Sequence, residues 1–258
     1  MQRVFEFRPS VLATALMLVV LLAFSPTTLA GEKGRGAVKD FEFAFEPSPS
    51  DSAGVPSLKI CVLPLINSND LEHHTKNLEK ATRNLSESEI PRVLGIRFNS
   101  GGKPLNRFLT PQPFESTIQG ALEAELRALG MDVMPPMDGG PLPNFRERTL
   151  VAMADELPED GAPDLLMGIE IDDFFFETTT GMWKLKMETF FVLEVVVFDM
   201  ASREIVWEGT VEAGDLEKKA MFMGKEAVET RLHATFQDLI EGVLRNNSDL
   251  QGVLTDLG

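Results

Sequence analysis

One cysteine, three histidines and a shortage of positive charge set the first limits on this 258-residue chain. The single cysteine, Cys61, rules out an intramolecular disulfide, so the fold rests on a hydrophobic core and not on covalent staples. It lies inside the apolar segment LKICVLPL, where a lone thiol with no facing His reads as a small core residue. Lysine and arginine number 24 against 40 aspartate and glutamate, a net charge of −16. That balance opposes nucleic acid and anionic lipid surfaces alike. The N-terminal apolar run, Val11 to Phe24, falls short of the roughly 20 residues a helix needs to cross a bilayer core. HExxH, GxSxG, a P-loop and a dinucleotide fingerprint are all absent. Gly101-Gly102-Lys103 lacks the Walker spacing and runs into Pro104, so it is a turn.

What is present begins with that same run. Arg3 and Arg8 precede it, and Ser25, Pro26 and Thr28-Leu29-Ala30 follow it, the three-part layout of a secretory leader. Residues 1–30 are therefore expected to be a signal peptide cleaved after Ala30, with an uncleaved N-terminal anchor as the alternative. The stretch 31–57 is rich in Gly, Pro and Ser at both ends and predicts a flexible tether. Within it Phe41, Phe43 and Phe45 recur at every second position, as in an edge strand. Such a strand either joins the chain's own sheet or docks a partner.

The strongest periodic signal is Pro113 to Val133. Phe114, Ile118, Ala121, Leu122, Leu126 and Leu129 fall on one helical stripe, while Glu115, Gln119, Glu123 and Arg127 lie off it. Pro113 suits the helix entrance and Gly130 its left-handed stop. Before it, Leu58 to Leu65 predicts a buried strand, Asn67 to Ser88 a thin surface helix or loop, and RVLGIRFN a strand entering a turn. After a Pro/Gly-rich break, Asn144 is placed to cap a helix reaching about Leu157. From Asp164 the period changes to two. Leu165, Met167, Ile169 and Ile171, then Leu185 to Val197, then Ile205 to Ala213 alternate apolar with polar, which predicts a three-stranded antiparallel meander. Val228, Leu232, Phe236, Leu239, Ile240, Val243 and Leu244 make the stripe of a closing helix. The expected class is α/β (α+β): a two-layer sandwich whose mixed sheet ends in the antiparallel meander and is covered on one face by two main helices. Residues 58–246 form the single domain and 247–258 a frayed tail.

The order of these parts, with VLPLIN, LGIRFNSGG, the helix ending in Leu-Gly-Met-Asp-Val, Asp164 to Ile171, VLEVVV and the terminal helix, resembles the YajG-type bacterial envelope lipoproteins. Related layouts occur in auxiliary lipoproteins of ABC transporters. The resemblance implies an exported, periplasmic envelope protein of accessory or binding type, with no catalytic residues to carry over. Such lipoproteins have Cys directly after the leader; Gly31 stands there in this chain, so no lipid anchor is expected.

Two sets of residues remain as candidate sites. Glu170, Asp172 and Glu188 share the wet face of the meander and offer carboxylates for acid–base work or a hard cation. A solvated sheet face in an acidic protein is the simpler account of them, and no metal or other cofactor is expected. Met182 and Trp183 before one strand, and Met221, Phe222 and Met223 between lysines before the last helix, suit contact with a protein partner or lipid chain. His73 and His74 are adjacent, so on either a helix or a strand they diverge instead of sharing a metal. The expected function is non-enzymatic binding in the envelope. A metal-dependent hydrolase or cation-binding protein on the acidic face, and a structural protein that self-associates through Phe41–Phe45 or Met221–Met223, are the alternatives.

Overall fold

Each long element of the fold follows from a periodicity in the sequence. The computed structural model describes residues 37–43, 45–47, 57–69, 75–136, 142–157, 161–180, 185–214, 216–219 and 225–257. These fall within one compact unit, Gly36–Gly258, and the expected leader lies outside them. In chain order the elements are β1 (Ala37–Asp40), β2 (Lys59–Val62), β3 (Ile66–Asn67), α1 (Thr75–Thr82), a single 3-10 turn at Ile90–Arg92, β4 (Val93–Asn99), β5 (Pro104–Leu109) and α2 (Phe114–Ala128). They continue with β6 (Asp132–Val133), α3 (Glu147–Glu156), β7 (Leu165–Thr180), β8 (Leu185–Asp199), β9 (Glu204–Ala213), β10 (Leu216–Lys219), α4 (Lys225–Leu244) and α5 (Ser248–Leu257).

The β7–β8 hairpin is the spine of a mixed sheet, in register from Leu165↔Asp199 to Thr180↔Leu185. Along its free side β7 takes β2 and β3 in parallel on its first half and β4 in parallel on its second. From β4 the sheet continues through antiparallel β5 to parallel β1, and β6 flanks β2. The far side of β8 takes β9 and then β10, both antiparallel. The close approach of β4 to β7 depends on Gly95, where a Cβ would stand 2.2 Å from the Phe176 carbonyl oxygen.

One bulge re-aims the spine. Between Ile171 and Asp173 the β7 register slips by a residue against β8. Leu165, Met167, Ile169 and Ile171 therefore share a core with Phe174 and Phe176, odd positions giving way to even ones. Into that core α2, α4 and α5 deliver Phe114, Ile118, Leu122, Leu126, Leu232, Phe236, Leu239, Leu250 and Leu254. Gly130 ends α2 at φ +92°, and Glu123 pairs with Arg127 at 3.1 Å on its outer side.

The α/β sandwich stands, with one addition: the second sheet face also carries helices. α3 covers Cys61, Leu63, Leu166 and Phe198, and α1 sits over Ile96, Phe98 and Phe175. Neighbouring strand residues such as Ile60 and Cys61 point to opposite faces, so these clusters lie across the sheet from the main core. Asn144 is not the cap of α3: Arg146 holds that position without a side-chain cap bond, and Asn144 braces the turn before it, its side-chain oxygen accepting from Arg146 N at 3.1 Å and Thr149 Oγ1 at 2.8 Å.

Two expected boundaries are corrected. The tether is not free over its described part: β1 pairs with β5, Phe41 N–H donates to the Leu109 carbonyl, and Phe41 and Phe43 are buried. Their rings stack on their own core, Phe43 lying 4.4 Å from Phe236, which removes them as a self-association patch. The tail is not frayed either. Asn247 accepts from Leu250 N at 3.0 Å and so caps α5, whose Leu250 and Leu254 are one turn apart and fully buried. Leu250, Val253, Leu254 and Leu257 fall at i, i+3, i+4 and i+7, a helical stripe present in the sequence itself, and the core that receives Leu250 and Leu254 holds the helix in place.

Candidate functional site

The acidic candidates are not brought together. Register places Glu170 opposite Glu194, whereas Glu188 faces Glu177 further along the hairpin. Six residues of strand separate Glu188 from Glu194, about 20 Å. Glu188 instead pairs with Lys186 at 2.6 Å. Glu170 accepts a hydrogen bond from the Ser68 hydroxyl. The carboxylate that joins Glu170 and Asp172 is Glu194: partial burial pushes its pKa up, and repulsion from Glu170 and Asp172 adds to the rise. Among the described residues no three His, Cys, Asp or Glu side chains converge to hold a metal ion.

A raised carboxyl pKa has a defined consequence for stability. The folded state keeps the Glu194 proton to higher pH than the unfolded chain does, so stability falls as pH rises from the unfolded value of about 4.3 through the folded one. Glu194→Gln is expected to raise Tm at pH 7, with the gain vanishing below about pH 4, where both states are protonated. A pH-independent gain in thermal melts would refute the repulsion.

Met182 and Trp183, and Met221, Phe222 and Met223, lie outside the described residues, as do His73 and His74. Cys61 is buried, with its sulfur 3.7 Å from the Pro135 carbonyl oxygen, in the apolar cluster beneath α3.

Two open cavities among the described residues bear on function. One, about 400 Å³, follows the seam where β9 gives way to β10 along β8, around Thr189, Glu212 and Gly214. The other, about 280 Å³, is a groove between the segment after β1 and helix α2. Phe43, Phe45 and Phe236 contribute rings to it, Gly120, Ala121 and Ala124 give α2 a low wall, and Gln112, Ser116 and Thr117 supply amide and hydroxyl groups. Among the described lining residues Glu42 alone is charged. The described lining of aromatic rings, small residues and neutral polar groups suits an apolar group. The signal for it was present but split: the Phe41–Phe45 alternation marked one wall, and the small residues beside the stripe of α2 marked the other. Nothing local joins them, because the two stretches lie some 70 residues apart in the chain.

The fold defines a class of protein, a mixed-sheet α/β domain with helices on both faces and an apolar groove beneath its N-terminal segment. No protein-family model matches the chain and no curated protein is similar to it. Solved structures of similar layout include a DUF330-family protein from Xanthomonas campestris, at TM-score 0.45 and 9% identity over 83% of this chain and 96% of that one. A hypothetical protein from Chlamydia trachomatis is similar at TM-score 0.42 and 12% identity, over 77% and 98% of the two chains. A lipoprotein from Neisseria meningitidis is similar at TM-score 0.34 and 11% identity, over 74% and 99%. Likeness at this level does not extend to function. No described helix is long and apolar enough to cross a membrane.

Proposed function

We propose that this is an exported, non-enzymatic protein of the bacterial envelope that works by binding, taking an apolar group of a protein partner or lipid into the groove between Phe43, Phe236 and α2. The observation that carries the reading is the make-up of that groove: aromatic rings, small residues and neutral polar groups. The secretory layout of residues 1–30 and the YajG-type order of motifs support the envelope setting. Met182-Trp183 and Met221-Phe222-Met223 are proposed as further contacts, testable by photoreactive residues at positions 183 and 222.

The direct test fills the groove. At Gly120 an added Cβ meets nothing within 4 Å, so Gly120→Trp is expected to fold normally while placing its indole in the space. The neutral apolar fluorophore N-phenyl-1-naphthylamine should bind the wild type saturably and lose at least about tenfold in affinity in the variant, the equivalent of 1.4 kcal/mol. Equal binding by both proteins, or saturable binding by neither, would overturn the groove. Recovery of the protein with its leader intact in the cytoplasmic fraction would overturn the envelope setting.

A further inference from the structure

Among the described residues the sheet ends on one side in a strand paired along one edge only. Among the described residues β9 pairs with β8 alone, from Phe191↔Ala213 to Asp199↔Glu204. One edge of its ten-residue backbone therefore has no strand beside it. The edge strands β1 and β10 have four residues each and β6 has two. A long open edge presents a row of N–H and C=O groups and is a template for an extended chain. Its side chains sort into two rows. Glu208 and Glu212 are exposed, and Glu194 of β8 stands opposite Thr210 on their face of the sheet, while the register slip at Val206 turns the exposed Glu204 to the other face. Val211 and Ala213, on the alternate positions, are buried in the main core.

The acidic row decides what fits. A second copy paired antiparallel about Glu208 would set Glu208 against Glu208, and one paired about Thr210 would set Glu208 against Glu212, on chains that each carry a charge of −16. Like charges directly opposed across strands destabilise the pair. The same charges attract a basic strand. We propose that the free edge of β9 receives, by strand addition, an extended segment of a partner protein with Lys or Arg along one side and apolar residues along the other. No lining residue of the groove belongs to β9, so this surface goes beyond the groove reading and does not depend on it.

The test uses the purified protein and a synthetic peptide that alternates Lys with Val over the length of β9. Saturable binding is expected, with slowed hydrogen exchange at outward-facing amides of residues 204–213. Glu208→Lys combined with Glu212→Lys, at exposed positions that leave the core intact, should weaken binding about tenfold. A peptide with the same lysines and Pro in place of Val keeps the charge but loses backbone donors, and should protect nothing. Equal binding by the Pro peptide, protection confined to other strands, or no saturable binding would overturn the proposal. So would a dimer in sedimentation whose β9 amides are protected without any peptide, since that assigns the edge to a second copy.

Discussion

Phe174→Ala is expected to lower the stability of the folded chain by about 4 kcal/mol, read as a drop in Tm of roughly 8–16 °C. Phe174 is fully buried and sits between two rings, 4.2 Å from Phe191 of the meander and 5.1 Å from Phe114 at the start of α2. Phe43 and Phe236 complete the contact at 5.8 and 6.2 Å. One side chain thus touches the spine hairpin, two helices and the segment after β1. Truncation leaves a void bordered by all of them, which cannot collapse around it without shifting each element. Because Phe43 and Phe236 also line the groove, the same variant should bind the fluorophore more weakly than its remaining folded fraction predicts. A loss below about 1 kcal/mol in denaturant titration would show that the stack is not part of the working core.

Arg245→Met is the second large effect, expected at about 3–5 kcal/mol. Glu125 lies on the buried side of α2, its side chain without solvent exposure, and Arg245 just beyond α4 reaches it through Nε. The pair ties the two long helices together at one end. Removing only the guanidinium leaves a carboxylate inside the core with its charge uncompensated, and that desolvation is the source of the loss. The double variant Glu125→Leu with Arg245→Met removes both charges and should recover most of it. If the double variant is as unstable as Arg245→Met, the loss comes from the packing of the arginine stem and not from the stranded carboxylate.

Glu125 also shows where the sequence could be read and where it could not. It follows Leu122 by three residues and precedes Leu126, at the border of the apolar stripe, and nothing local distinguishes it from Glu123 two positions earlier. Its burial depends on a guanidinium 120 positions later in the chain. The acidic candidates failed for a related reason: alternation placed Glu170, Asp172 and Glu188 on one face, but their spacing along it depends on the register of two strands. A shared face is a local property, whereas a shared site is not.

Periodicity by itself determined α2, α4 and the three strands of the meander, because one-sided burial writes period 3.6 or period 2 directly into consecutive side chains. Composition determined that the chain is held by a core, without disulfides, and that it is strongly acidic. Only the tertiary structure decided the rest. The bulge after Ile171 moves Phe174 and Phe176 into the main core, β1 pairs with β5 residues 69 positions later in the chain, and the main core receives Leu250 and Leu254 of α5. The groove and the open edge of β9 belong to that second group. Each is made by which strand or helix lies beside another, or by none lying there. Such pairings are settled by the summed burial and hydrogen bonding of the whole sheet, and that sum leaves no trace in any single stretch of residues.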